Sequence, residues 1–319
     1  MTIIRQMVEE DADAVRDVDA LAFWTWGKQL RGEAAPMYRR TRNNVLACRE
    51  KDPDGCFVAE EDGQVVGFIF SRTWGGVGWF GTFAVLPAYQ GRGIGKQLIT
   101  ASLEYLRQEP DRLIGLETMS ESAYNLGLYL GLRFHVRLPT LLLSKELNKS
   151  GADHVDLPRW SSTDTSTRKR WLVDLTEATG QIQPGLNYSK EIVSVARHHL
   201  GETLVLTDGA TAIGMSIIGL VSAWDGWGEQ RASVQVLALH PAHTNEQALR
   251  ALTGAGETLV RACGKQVLTV PVNARHAWAL QQLLQCGYRV ERMAVRMVLQ
   301  GTDNGPRTDH CVDFARWVG

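Results

Sequence analysis

The polar and apolar positions of the first 147 residues follow the two periods of secondary structure. Short β-rich runs bounded by turn residues predict strands, and these runs cover residues 3–7, 56–60, 65–71 and 78–86. Asp62-Gly63 separates the second run from the third, and this pair favours a tight turn between antiparallel strands. The pattern therefore predicts a hairpin within a sheet.

A helical period follows the last of these strands. Ile94, Leu98, Ala101 and Tyr105 recur at the spacing of one helix face, and Pro110 predicts its end. Further segments complete the pattern, namely helices over 11–23 and 122–130 and strands over 113–117, 134–138 and 140–147. This order predicts an α+β fold with a mixed sheet.

The second half repeats the plan of the first. Asp208-Gly209 stands between predicted strands at 203–207 and 212–220, and it follows Asp62-Gly63 by 146 positions (208 minus 62). Leu239-His240-Pro241-Ala242 corresponds to Val85-Leu86-Pro87-Ala88 at an offset of 154 (239 minus 85). A predicted helix over 248–259, a strand over 266–270 and a helix over 273–285 follow in the same order. We interpret the pattern as an internal duplication.

The duplication divides the chain into two predicted domains. We assign residues 1–147 to the first domain and residues 169–300 to the second. Residues 148–168 are rich in turn-forming residues without apolar periodicity, which is typical of a linker. The tail over 301–319 is unassigned, and docking on a groove or on another subunit are the open alternatives.

Composition excludes several classes of protein. Hydrophobic residues make up 44% and charged residues 22% of the chain, which is ordinary for a globular protein and argues against disorder. The net charge of -1 provides no overall field to attract nucleic acid or an anionic membrane. Five cysteines without a C-x-x-C pair, and the lack of a long apolar run, predict a reduced cytoplasmic protein without a structural metal or a membrane span.

The most informative segment is Gln90-Gly91-Arg92-Gly93-Ile94-Gly95-Lys96, where a strand gives way to a helix. Its glycines leave main-chain N–H groups bare at a helix N-terminus, where the helix dipole favours an anion. Arg92 and Lys96 add positive charge. The spacing differs from the dinucleotide pattern G-x-G-x-x-G and from the P-loop. A phosphate-binding turn is predicted, and the alternative is a glycine-rich connection without a ligand.

Together with Val85-Leu86-Pro87, this segment resembles the signature Q/R-x-x-G-x-G/A of the GNAT superfamily of N-acetyltransferases. The resemblance extends from about residue 3 to residue 146, and it implies acetyl-CoA as the cosubstrate. It implies that residues 90–96 hold the pyrophosphate of the coenzyme. It also implies that the main chain of Phe83, Ala84 and Val85 meets the thioester and the pantetheine arm.

A second stretch, Leu116-Glu117-Thr118 with Ser122 and Tyr129, is similar to the strand and helix that pack on pantetheine in this family. Tyr129 occupies the family's tyrosine position, where its hydroxyl can protonate the departing thiolate. The alternative is that Tyr129 is a core residue of an amphipathic helix. In two positions the sequence departs from the family, since Ser122 stands where asparagine is usual and Arg133 where glycine is common. Ser122 is the expected coenzyme contact on this helix.

The general base is a point at which this sequence departs from the family. The family often carries a glutamate on the strand before V-x-P, but Gly81 and Thr82 stand there. An acceptor amine is protonated at neutral pH and has to lose a proton before it attacks. Glu117 is therefore the candidate base, acting directly or through water. The alternative is a solvated or paired carboxylate at a strand end.

The acceptor remains open between a small-molecule amine and a peptide amine. Its specificity in such folds depends on loops, here residues 22–45 and 72–80. Four tryptophans near these loops predict either an aromatic acceptor pocket or core packing, namely Trp24, Trp26, Trp74 and Trp79. His198-His199 and the pair His240 and His243 lack a third ligand at metal-binding spacing, so we interpret them as surface residues.

The second half lacks these phosphate-binding features. Residues 241–247 contain no glycine, and Thr244 with Gln247 predicts a capping box that satisfies the N–H groups of its own helix. Glu246 adds negative charge where a phosphate would sit. Leu280 takes the position of Tyr129 in the repeat. We therefore expect a degenerate domain that binds no coenzyme, stabilises the first domain and helps to shape its acceptor site.

The resemblance predicts an acyltransferase, an N-acetyltransferase that moves an acetyl group from acetyl-CoA to an amine by direct attack in a ternary complex. Proximity can supply much of the rate of such a reaction. The alternative function is a noncatalytic acyl-CoA sensor, and a structural scaffold that binds no coenzyme is a third. The duplication predicts a monomer with pseudo-twofold domains, and a homodimer is the alternative.

Overall fold

The computed structural model describes residues 1–32, 36–147, 155–226, 228–300 and 312–315. Within these ranges the chain forms thirteen strands, which are β1 (Ile3–Gln6), β2 (Cys56–Glu61), β3 (Gln64–Trp74), β4 (Val77–Val85), β5 (Leu113–Met119), β6 (His135–Val136), β7 (Thr140–Glu146), β8 (Gly201–Asp208), β9 (Thr211–Gly219), β10 (Arg231–Leu239), β11 (Val267–Asn273), β12 (Arg289–Gln300) and β13 (Val312–Ala315).

The same ranges contain eight α-helices, which are α1 (Ala12–Arg31), α2 (Arg42–Lys51), α3 (Ile94–Leu106), α4 (Ala123–Gly131), α5 (Thr165–Ile182), α6 (Ser189–Arg197), α7 (Glu246–Ala262) and α8 (Ala277–Gln285). None of the helices in these ranges is long and apolar enough to cross a lipid bilayer.

All of the described strands join one sheet, in the order β1-β2-β3-β4-β5-β12-β7-β11-β10-β9-β8, with β6 on β12 and β13 on β10. Two neighbouring pairs run parallel, β4 with β5 and β10 with β11. The other ladders are antiparallel, so the predicted mixed sheet is confirmed. The order β1 to β5 is mirrored by β8 to β11 at the opposite edge, as a duplicated chain would produce.

The two halves exchange their closing strands at the centre of this sheet. β12 ends the second repeat but pairs with β5 of the first, and β7 ends the first repeat but pairs with β11 of the second. β12 also pairs with β7. The strands predicted at 134–138 and 140–147 both form, but β6 pairs with β12 rather than with its neighbour in sequence. Main-chain hydrogen bonds therefore tie the halves into one body.

Helix α3 forms where its apolar period predicts it. Ile94 and Leu98 are fully buried, and they pack with Ile69 of β3 in one apolar cluster. Burying an aliphatic side chain of this size stabilises the fold by about 2 kcal/mol. This packing fixes the helix on the sheet, and with it the position of the helix N-terminus.

Periodicity does not predict α2, α5 or α6. Helix α5 begins at Thr165, inside the segment 148–168 predicted as a linker, of which residues 148–154 lie outside the described ranges. The Asp164 side chain accepts hydrogen bonds from the main-chain N–H groups of Ser166 and Thr167 at 2.9 and 3.0 Å. At this end of the segment the polar residue Asp164 therefore caps helix α5.

Two ion pairs, each with a buried carboxylate, join helix α6 to the end of helix α2. Lys51 Nζ lies 2.8 Å from Glu191 Oε2, and Lys190 Nζ lies 2.8 Å from Asp52 Oδ1. Burial opposes ionisation of Glu191, but Lys51 and Arg72 outweigh it and lower the pKa of Glu191. These contacts cross from one repeat to the other and hold their outer helices together.

Two hairpin turns make reciprocal contacts between the repeats. After β3, the Gly76 N–H group donates to the carbonyl of Gly185 in the second half at 2.9 Å. After β9, the Ala223 carbonyl accepts from the N–H group of Thr41 in the first half at 2.9 Å. A Cβ on Gly75 would lie 2.1 Å from the Gly185 carbonyl oxygen, so this approach requires glycine. The two contacts therefore occur at equivalent hairpin turns of the two repeats.

Candidate functional site

Strands β4 and β5 run side by side only at their beginning. Residues 77–79 pair with residues 113–115, and the ladder ends there although both strands continue. A bulge in β4 follows, because Ile69 of β3 faces Phe83 while Ser71 faces Phe80. The strands diverge into a wedge, and no described strand pairs with the edge of residues 83–85 that faces it.

The chain leaves β4 at the open end of the wedge and enters α3 through residues 86–93. Gly91 and Gly93 have φ angles of 78° and 82°, and a Cβ on either would have no neighbour within 4 Å. Glycine is therefore required for the left-handed backbone rather than for space. Gly93 precedes the helix and has no side chain to cap it. The N–H groups of the first turn are thus available to an anion.

Side chains of the turn fasten it to the end of β4. Gln90 Nε2 donates to the Val85 carbonyl at 2.9 Å, and the Arg92 guanidinium donates to the Ala88 carbonyl at 3.0 Å. The Arg92 guanidinium carbon lies 4.9 Å from the centre of the Tyr89 ring. Lys96 is exposed in the first turn of α3 and has no ion-pair partner among the described residues. It supplies positive charge next to the bare N–H groups.

Tyr129 projects from α4 toward the bulged part of β4. Its ring centre lies 6.0 Å from that of Phe80, 6.5 Å from that of Phe83 and 6.0 Å from that of Phe134. The residue is 4% exposed, and its hydroxyl has no hydrogen-bond partner among the described residues. Burial raises the pKa of Tyr129, so the hydroxyl keeps its proton at neutral pH. It can donate a hydrogen bond inside an apolar enclosure.

Ser122 lies at the start of α4 and is buried. Its hydroxyl oxygen accepts the Asn125 N–H group at 3.3 Å and so caps the helix. The hydroxyl proton remains available to another acceptor. The structure therefore gives Ser122 a capping role in addition to the predicted coenzyme contact.

Glu117 is held in a buried ion pair that sequence reasoning did not find. Arg296 of β12 lies directly opposite Glu117 of β5, with Nη2 at 2.8 Å and Nε at 2.9 Å from Glu117 Oε1. The same oxygen accepts the Thr140 hydroxyl of β7. The side chains of Glu117 and Arg296 are 2% and 3% exposed. All of these contacts are made by Oε1, so Arg296 and Thr140 give Glu117 a structural role beside the predicted base role.

The four tryptophans divide between two environments. Trp74 and Trp79 are buried in the core cluster that also contains Trp160 and Trp171, so core packing describes them. Trp24 and Trp26 are half-buried on α1, and the Lys28 Nζ atom lies 4.3 Å from the centre of the Trp24 ring. Only the α1 pair remains a candidate for the acceptor side. Of the acceptor loop predicted at 22–45, residues 33–35 lie outside the described ranges.

A buried cation lies beneath the β4 bulge. The Arg40 guanidinium donates to the Thr82 hydroxyl at 3.1 Å and lies 3.3 Å from Asp19 Oδ1. Its guanidinium carbon lies 5.3 Å from the centre of the Trp224 ring, which belongs to the second half. These residues are far apart in sequence and share no motif, so only the fold reveals the group. The second half thereby contributes to the α1 side of the site.

The second half contains an equivalent wedge with different chemistry. Strands β10 and β11 pair only over residues 231–233 and 267–269. The helix that follows, α7, is capped by Asn245, whose side chain accepts the Ala248 N–H group at 2.9 Å. The cap is thus Asn245 instead of the predicted Thr244, and it satisfies one N–H group of its own helix, that of Ala248. Glu246 pairs with Arg250 at 2.8 Å.

The histidines carry no sign of metal chemistry in the part of the chain that the structure describes, where no group of three or more potential ligands converges. His198 contacts Glu50 and Asn43 across the two halves. The rings of His240 and His243 contact each other, and the His240 side chain accepts the Ala242 N–H group at 3.1 Å.

Sequence comparison matches the region that contains this site. Residues 18–132 match the model of the acetyltransferase (GNAT) family. A mycothiol acetyltransferase of Amycolatopsis mediterranei is 34% identical over 134 residues, which is 39% of this chain and 43% of that protein. An uncharacterized N-acetyltransferase of Archaeoglobus fulgidus is 39% identical over 78 residues, which is 21% of this chain and 50% of that protein. The chain thus matches at most half the length of either relative.

Structural comparison covers nearly the whole chain. A GCN5-related N-acetyltransferase from Sphaerobacter thermophilus superposes with a TM-score of 0.61 at 15% identity, over 95% of this chain and 97% of that one. A tandem GNAT protein from the clavulanic acid biosynthesis pathway superposes with a TM-score of 0.59 at 15% identity, over 95% of this chain and all of that one (100%). At these identities the likeness extends to the fold, which is that of two GNAT-like repeats.

Proposed function

We propose that this chain, whose residues 18–132 match the model of the acetyltransferase (GNAT) family, is an N-acetyltransferase, which transfers the acetyl group of acetyl-CoA to an amine by direct attack in a ternary complex. One observation carries the proposal. The uncapped, glycine-formed N-terminus of α3 stands at the open end of a wedge whose β4 edge lacks a strand partner.

These two features suit the two ends of the coenzyme. The bare N–H groups at residues 91–96, with Lys96, suit a diphosphate. The unpaired edge of residues 83–85 offers main-chain donors and acceptors to the amide groups of a pantetheine arm, much as it would to an added strand. When bound, acetyl-CoA supplies an activated thioester. The chain has to orient that group, exclude water, donate a proton to the leaving thiolate and allow the acceptor amine to lose one.

Tyr129 donates a proton to the leaving group in this proposal. Because burial raises the pKa of Tyr129, its hydroxyl is protonated at neutral pH and can donate to a departing thiolate. The rings of Phe80, Phe83 and Phe134 pack around the Tyr129 ring. A hydrogen bond is stronger in such a low-dielectric enclosure than in water.

The proton of the acceptor amine needs a separate route. A lysine-like amine with a pKa near 10.4 is unprotonated in only about one molecule in 2,500 at pH 7. Because Glu117 is bound to Arg296 and Thr140, we assign this proton to solvent rather than to the carboxylate. The enzyme then captures the small unprotonated fraction and relies on proximity for its rate.

The names of the relatives suggest where an acceptor screen should begin. Relatives from Amycolatopsis mediterranei and two other bacteria are named mycothiol acetyltransferases, with less than half of each protein aligned. Acceptors related to mycothiol therefore come first, followed by other small amines and peptide N-termini. The acceptor side would be bounded by α1 and, at the β4 bulge, by the Arg40 group, which is Arg40 with Asp19, Thr82 and Trp224.

Two variants of the full chain test the phosphate-binding turn. Asn and Asp both tolerate the left-handed backbone of Gly93 and differ by one charge. Two unit charges at 4 Å interact by about 1 to 4 kcal/mol at a protein surface. Acetyl-CoA should therefore bind Gly93→Asp about tenfold or more weakly than Gly93→Asn, as measured by calorimetry.

Turnover is followed as free CoA thiol released with the acceptor panel. Equal affinities of the two Gly93 variants would contradict the proposed phosphate site. Tight binding of acetyl-CoA with no transfer to any acceptor would instead support the noncatalytic sensor.

A further inference from the structure

The wedge between β10 and β11 is filled by another part of the chain. Strand β13 lies antiparallel along β10, with Val312 opposite Leu239 and Ala315 opposite Val236. At the offset of the duplication, 154, residues 236–239 correspond to residues 82–85 of β4. Those are the residues beside the wedge of the first half, where no described strand pairs. The C-terminal segment therefore takes the place that the proposed function gives to a pantetheine arm.

The segment fits this place on both of its faces. Val312 and Phe314 are fully buried in the apolar cluster of the second half, together with Leu237 and Val270. Ala315 is buried in the central cluster on the other face. A four-residue strand that is buried on both sides behaves as a core element rather than as a surface tail.

A polar group between the apolar positions fixes the register. Asp313 Oδ1 accepts the Tyr188 hydroxyl at 2.9 Å, and Asp313 Oδ2 lies 3.9 Å from the Arg275 guanidinium. Asp313 Oδ2 has no hydrogen-bond partner among the described residues, and burial raises the pKa of Asp313. A segment shifted by one residue would lose the Tyr188 contact and bury this polar group among apolar side chains. The His276 ring also packs against Phe314 at 5.9 Å between centres. Tyr188 and Arg275 therefore favour an acidic residue at this position, between two apolar ones.

We propose that the wedge between β10 and β11 is a groove that binds an extended peptide strand, that residues 312–315 of the same chain occupy it, and that they keep acyl-CoA out of the second half. The ligand class is an extended segment with an acidic residue flanked by an aliphatic and an aromatic one. Main-chain hydrogen bonds to β10 supply affinity, and the Asp313 partners supply specificity. Only the exclusion of acyl-CoA rests on the proposed function.

Peptide binding to the full-length chain tests the groove. Phe314→Asp puts a second carboxylate into the apolar cluster and should release the strand. A fluorescent peptide of residues 309–319 should then bind this variant at least tenfold more tightly than the unmodified chain, whose groove is filled. Val173→Asp, a change on α5 at a position 68% exposed, should match the unmodified chain. The same peptide with Phe314→Asp should bind none of them. Equal binding to all chains, or no binding to a folded Phe314→Asp chain, would overturn the proposal.

Hydrogen exchange on the unmodified chain decides the case if Phe314→Asp does not fold. Amides of residues 312–315 should exchange at least a hundredfold more slowly than in the free peptide, and exchange at the free-peptide rate would overturn the proposal. Added acetyl-CoA should slow exchange over residues 83–96 but not over residues 236–249. Slowing over both segments would overturn the exclusion of acyl-CoA. Slowing over neither would count against the proposed function while the peptide results still stand.

Discussion

The buried pair of Glu117 and Arg296 allows the structural and catalytic roles of Glu117 to be separated. Arg296→Met would leave the carboxylate almost without solvent, with the Thr140 hydroxyl as its remaining described partner. Leaving one member of such a pair unpaired costs about 3 to 5 kcal/mol of unfolding free energy. Because the pair joins β5 to the exchanged strand β12, this loss should appear in unfolding of the whole chain.

A double-mutant cycle gives the magnitude of the coupling. Glu117→Leu combined with Arg296→Met replaces the pair by apolar groups, which is often neutral or stabilising. The double variant should therefore recover most of the stability lost by Arg296→Met, with a coupling of about 3 kcal/mol measured by urea unfolding. Arg250→Met is the control, because its exposed pair with Glu246 should contribute under about 0.5 kcal/mol.

Turnover of Glu117→Gln then decides the role. If Glu117 only positions β5, folded Glu117→Gln should keep its kcat within about tenfold, because the amide can still accept from Arg296. General bases commonly contribute about 10² to 10⁴ in rate. A loss in that range with unchanged stability would refute the reasoning and restore Glu117 as the base. An unchanged stability of Arg296→Met would refute the ion pair itself.

Further predictions concern protons and caps. Tyr129→Phe should lower kcat by about 10²-fold while leaving acetyl-CoA affinity intact. The control Tyr124→Phe, on the same helix but 76% exposed, should change neither kcat nor affinity. An unaltered kcat for Tyr129→Phe would remove Tyr129 from the mechanism. If solvent takes the amine proton, kcat/KM for a lysine-like acceptor should rise about tenfold per pH unit from 7 to 9; a plateau would indicate a base on the enzyme. Burial opposes ionisation of Asp11, but the Arg5 guanidinium outweighs it and lowers the pKa of Asp11 below 3.8. The contribution of this ion pair to the free energy of unfolding is therefore present above pH 3.8, and it is lost as the pH falls through the lowered pKa. Asp11→Asn should therefore flatten the acid decline in urea-measured stability, and an unchanged decline would contradict the assignment. Asn245→Ala should lower stability by about 1 kcal/mol without affecting acetyl-CoA affinity, and an affinity change would mean that α7 takes part in binding.

The elements that local pattern determines were predictable. The buried face of α3 recurs at a helical period, and Asp62-Gly63 marks the turn of the β2–β3 hairpin, so spacing and turn residues locate both elements. The turn at residues 90–96 was predictable for the same reason, because its glycines and charges are contiguous. The cap of α7 was displaced by one residue, from Thr244 to Asn245, since either side chain can accept at a helix start.

The exchange of β7 and β12 was not predictable in this way. Both strands offer apolar residues of similar period, so β5 could pair with either on local grounds. The opposed charges of Glu117 and Arg296 specify the register, but their match appears only after the strands are aligned. Segment 312–315 is likewise too short for a period to be recognised. The Arg40 group required the fold as well, because its members come from separate elements of both halves.

The exchanged strands also have a consequence for synthesis on the ribosome. The first half emerges first, but β5 ends at Met119 and its partner β12 begins at Arg289, 170 residues later (289 minus 119). At about 5 to 20 residues per second, the nascent sheet waits on the order of 10 to 30 seconds with that edge open. Exposed edges of this kind invite pairing between chains. An expressed fragment ending at residue 147 would keep the open edge permanently, and it should aggregate where the 319-residue chain does not.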